Sequence, residues 1–71
     1  MSARTFRANA SDFLRFDEAS RMHATMSALG FVLSQHPRVW NEGAHLTVRL
    51  VWRNRATRDS ATLALRVRLV R

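Results

Sequence analysis

The 71-residue sequence predicts an α+β fold: a small two-layer domain with one helix packed on a mainly antiparallel three- to four-stranded sheet, in the order β-α-β-β-β. Three observations predict it. Residues 45–71 hold two runs in which apolar and polar side chains alternate, the period of a half-buried strand. A single stretch beginning near Asp17 carries apolar residues at spacings of three and four, which is one face of a helix. Finally, a chain this short supports one core and therefore one domain, residues 1–71; such a domain buries only about 60% of the surface its unfolded chain exposes. That margin is thin enough that a homodimer is one way to complete the burial.

The first segment is the least regular. Phe6, Ala8, Ala10, Leu14 and Phe16 all fall on even positions, which reads as a strand or two short strands broken near Ser11 and Asp12. Phe13 interrupts this pattern, and a helix starting after Ser11 is the alternative. Asp17 suits a helix N-cap, with Glu18 favourably placed against the positive end of the dipole. Ala19, Met22, Met26, Leu29 and Leu33 then form the apolar stripe. Gly30 reads as the left-handed residue that ends this helix, with Phe31 folding back on the last turn. A strand from Phe31 to Gln35 comes next, which Pro37 confines to an edge or a bulged path, and Asn41, Glu42 and Gly43 read as its turn.

The clearest alternation runs from His45 to Asn54. Leu46, Val48, Leu50 and Trp52 point one way; His45, Thr47, Arg49, Val51 and Arg53 point the other. From Ala61 to Arg71 the pattern repeats, with Leu63, Leu65, Val67 and Leu69 inward and Thr62, Ala64, Arg66, Arg68 and Val70 outward. The polar connection from Arg55 to Ser60 is short enough for an antiparallel hairpin. Matching the inward residues most evenly pairs Leu46 with Leu69, Val48 with Val67, Leu50 with Leu65 and Trp52 with Leu63. Arg49 then lies opposite Arg66, and a slip of two residues would remove that like-charge pair.

Charge is concentrated in this hairpin. The net charge is +7, from twelve arginines, no lysine and five acids. Residues 1–44 carry five Arg against four acids, whereas residues 45–71 carry seven Arg against Asp59 alone. A GC-rich coding sequence would explain arginine in place of lysine, but it would not explain the clustering. Arginine's planar fork binds phosphate and carboxylate in bidentate fashion and stacks on aromatic rings. Arg49, Arg53, Arg66 and Arg68 on the outward face, with Arg55 and Arg58 in the connection, are therefore the candidate site for nucleic acid or another anionic partner. The plainer reading is a solvated cationic face that keeps the chain soluble and its edges unpaired.

Trp52 falls on the inward side and reads as core. Trp40, near a turn, reads equally as edge closure or as an aromatic contact for a base or a protein. The spacing of His23, His36 and His45 suggests no metal site, and no serine, glycine-loop or cofactor motif points to catalysis. The expectation is a non-enzyme without cofactors. The absence of cysteine removes disulfides and fits a cytoplasmic setting. Met1 to Ala10 lacks the apolar stretch of a signal peptide, and no run is long enough for a membrane span.

Two functions from different classes fit these features. The first is a small binding module whose arginine face docks on nucleic-acid backbone, without sequence readout because the outer face lacks paired aromatics. The alternative is a small inhibitor or adaptor that docks on an acidic protein surface. In size and style alone, such a chain is similar to phage-borne inhibitors of host defence such as anti-CRISPR proteins.

Overall fold

The computed structural model describes residues 9–68. A short 3-10 helix, Ala10–Phe13, leads into α1 (Asp17–Ala28), which is followed by β1 (Val32–Leu33), β2 (Arg38–Glu42), β3 (His45–Arg53) and β4 (Ser60–Arg68). Every pairing is antiparallel and every pairing involves β3. On one side β3 pairs with β4 along its whole length. On the other it pairs with β2 over residues 45–49 and with β1 over residues 52 and 53. β1 and β2 therefore share an edge, and the four strands make a sheet three strands wide with the helix on one face.

Pro37 explains why that edge is split. Leu33 pairs with Trp52 and Arg38 with Arg49, so four residues (34–37) stand against two (50 and 51). The two extra residues form a bulge that accommodates a residue with no N–H to donate. Because the excess is even, parity survives the break: Leu33 is buried and Val39 half-buried against the same core. Ser34 still donates its N–H to the Val51 carbonyl at 2.8 Å. Asn41 and Glu42, expected in the turn, belong to β2 instead. The turn itself is the two-residue Gly43-Ala44, with Gly43 at φ +71°, the left-handed position that a tight hairpin of this kind fills with glycine.

The helix starts one residue earlier than its expected cap implies. Phe16 is the N-cap residue and Asp17 the first helical one, and the Phe16 carbonyl accepts from Ser20 N–H at 2.8 Å. Asp17 and Glu18 still lie in the first turn, where carboxylates suit the dipole. Ala19 is buried and Met22 and Met26 are half-buried against the sheet. The stripe ends before Leu29, which is 60% exposed at the C-cap. Gly30 takes the left-handed conformation expected of it, at φ +88°. Phe31 N–H reaches the Met26 carbonyl at 2.8 Å and Gly30 N–H reaches Ser27 at 3.1 Å, the two bonds of a Schellman motif.

The N-terminal strand is not formed among the described residues. Asn9 N–H donates to Asp12 Oδ2 and Asp12 N–H to the Asn9 carbonyl, each at 3.0 Å, and these local bonds close a 3-10 turn where alternation suggested extended chain. Phe13, Leu14 and Phe16 all pack on the core, so even spacing was not facing. Phe6 and Ala8 lie outside the described residues.

The hairpin register also differs from the even match. Leu46 pairs with Val67, Val48 with Leu65, Leu50 with Leu63 and Trp52 with Ala61, a slip of two residues. Leu69 lies outside the described residues. Placing the largest inward side chain against one of the smallest makes room for the indole. Val48, Leu50 and Trp52 are the three largest fully buried side chains, and the Trp52 indole N–H donates to His23 Nδ1 on α1 at 3.0 Å. No helix among the described residues is long and apolar enough to cross a membrane.

Candidate functional site

The face that α1 leaves uncovered can be read as rows across β2, β3 and β4. The registers give Arg38–Arg49–Ala64, then Trp40–Thr47–Arg66, then Glu42–His45–Arg68. Val51–Thr62 and Val32–Arg53–Ser60 continue it toward the other end. Arg38, Arg49, Arg53, Arg66 and Arg68 are all exposed on this face. At about 3.4 Å per residue the platform runs some 27 Å along β3.

Four of the arginines named from sequence therefore share one surface, though not as the even register implied. Arg49 stands opposite Ala64, and Arg66 opposite Thr47, so the Arg49–Arg66 pair is absent. A like-charge pair exists on the other side of β3, where Arg38 is directly opposite Arg49. Opposed like charges cost about 0.2–1 kcal/mol. The Arg49 guanidinium also lies over the Trp40 ring, 5.4 Å from its centroid, which at an exposed site contributes about 0.5–1 kcal/mol. The two effects are of similar size, so Arg49 is held beside Arg38 at little net cost.

Thr47 is the floor of this cluster. It is only 8% exposed although it points away from the core, because Trp40 and Arg66 flank it across the row. Its hydroxyl donates to Glu42 Oε1. Among the described residues no hydrogen bond joins a guanidinium of this face to a carboxylate: Glu42 is engaged by Thr47 and Asp12 by Asn9.

Arg55 and Arg58 lie beyond the end of the platform, in the β3–β4 connection. Asn54 builds that connection. Its Oδ1 accepts from Ala56 N–H at 2.9 Å and Thr57 N–H at 3.2 Å, its carbonyl accepts from Arg58 N–H at 2.7 Å, and its N–H donates to the Asp59 carbonyl at 2.9 Å. Its Nδ2 reaches the Leu29 carbonyl at 3.3 Å, tying the connection to the end of α1. Arg58 sits at φ +64°, a left-handed conformation that costs a non-glycine residue about 1–2 kcal/mol. With Arg53, Arg55 and Arg58 line a shallow depression that Asp59 also borders.

Sequence reasoning missed Arg38 and Asn54. Arg38, Trp40 and Glu42 alternate with Val39, a period-two signal that could have placed all three outward once 38–42 was read as strand. Asn54 gave no such signal, since its role depends on three-dimensional closure. Among the described residues no group of three His, Cys, Asp or Glu side chains is arranged to hold a metal. The chemistry on offer is multidentate binding of anions by guanidinium groups, with one indole among them. The chain matches no family model, no curated protein and no solved structure.

Proposed function

We propose that this chain is a non-catalytic binding module that holds nucleic-acid backbone against the arginine face of its sheet. The observation that supports this reading is the five-arginine surface, exposed, opposite the helix, and without hydrogen bonds to the chain's own carboxylates among the described residues. A phosphate bridging Arg38 and Arg49 would relieve their mutual repulsion and gain charge-assisted hydrogen bonds in one step. The arginines are spread along the strand direction rather than gathered round a pocket, which suits a polymer of regularly spaced anions better than a single small ligand. A cytoplasmic setting, where such polymers are met, is part of the same proposal.

Engaging four or five phosphates gives a log-affinity against log-salt slope of roughly −3 to −5, measured by fluorescence anisotropy with a labelled oligonucleotide. A flat salt response, or no binding at low salt, refutes the proposal. An acidic protein surface is the competing target, since tryptophan and arginine also dominate protein interfaces. Recovery of a partner from lysate that persists after nuclease treatment would favour it.

A further inference from the structure

Resting on the nucleic-acid reading above, we infer that the strand held by this face is single-stranded, with one base stacked on Trp40. Holding Arg49 accounts for one part of the Trp40 ring, and a phosphate-only partner would make no use of the part left exposed. Trp40 is 38% exposed on the open face of the sheet, with Arg38 two residues before it on the same strand, Arg49 over its ring and Arg66 in its own row. Arg49 lies over the ring, and the part of the side chain that stays exposed stands among three cations. That is the combination that single strands exploit: bases stack on aromatic side chains while guanidinium groups follow the backbone.

A duplex does not offer its bases in this way, because they are already stacked within the helix and only phosphates and groove edges face outward. Around Trp40 the rows are strand residues of one sheet, and the floor residue Thr47 has its hydroxyl engaged by Glu42. Cations stand in the rows on both sides of Trp40, Arg38 and Arg49 in one and Arg68 in the other, where the Glu42 carboxylate is taken up by Thr47, so a backbone passing Trp40 meets guanidinium groups before and after it. With one aromatic in the cluster, one base is gripped without regard to identity, and sequence preference is weak.

The test compares a labelled 12-nucleotide DNA single strand with the same sequence as a duplex, each titrated at low salt with the full chain and with Trp40→Ala and Trp40→Phe. The single strand is expected to bind more tightly than the duplex. Trp40→Ala should weaken single-strand binding roughly five- to hundredfold and leave duplex binding within about twofold. Trp40→Phe should recover most of the loss, which a misfolded variant could not do. Equal binding of both probes with no effect of Trp40→Ala, or an equal loss on both, overturns the single-strand inference while leaving the backbone-binding proposal standing. If neither probe binds the unmodified chain, the backbone-binding proposal itself fails.

Discussion

Trp52 and Trp40 belong to adjacent strands of one sheet but to opposite faces of it. Trp52 is fully buried, and its indole N–H is taken up by His23 from the helix. Trp40, one strand away, is more than one-third exposed and shares its ring with Arg49. The same side chain is thus structural where the helix covers the sheet and available where it does not. Along β3 the division is residue by residue: Val48, Leu50 and Trp52 carry the core, while Arg49 and Arg53 between and beyond them carry charge into solvent. Fold and candidate site draw on alternate side chains of one strand, so each can be altered with the other intact.

The largest expected effect tests the covered face. Trp52→Ala should cost about 3–5 kcal/mol through the cavity it leaves and the loss of the partner of His23. In a 71-residue domain this is a large part of a total of roughly 4–11 kcal/mol. Urea denaturation measures it, and Trp40→Ala in the same experiment should cost under about 1 kcal/mol. Equal costs for the two tryptophans would break the distinction between the faces.

A smaller effect sharpens it. Arg38→Glu replaces the like-charge pair with Arg49 by an opposite-charge pair, and should raise stability by about 0.2–1 kcal/mol. It should also weaken oligonucleotide binding and reduce the salt slope by about one. Stability and affinity then move in opposite directions, as expected of a residue kept for its partner. If both fall together, Arg38 supports the fold and is not part of the binding surface.

How much of the molecule is legible in its sequence depends on how local each feature is. Strict alternation placed the faces of β3 and β4 because a strand has only two sides. The glycine ending of α1 was legible because its bonds lie within six residues, Met26 to Phe31. Hairpin register was not legible from matching side-chain sizes. It is set by the connection 54–59, where Asn54 closes the loop so that Arg53 meets Ser60. The residues leading into α1 misled for a related reason: a few even-spaced apolar positions are too short a run to outweigh the backbone bonds between Asn9 and Asp12. Arg38 escaped because its strand begins only after the bulge at Pro37, and a bulge hides the phase of the strand beyond it.

Reversal of three outward charges, Arg49→Glu with Arg66→Glu and Arg68→Glu, tests most directly whether this face is the binding surface. Oligonucleotide affinity and thermal midpoint are measured on the same sample. Binding should disappear at low salt while the midpoint stays within a few degrees of the unmodified chain, since none of the three side chains is buried. A folded triple variant that binds with unchanged affinity and salt slope would contradict it.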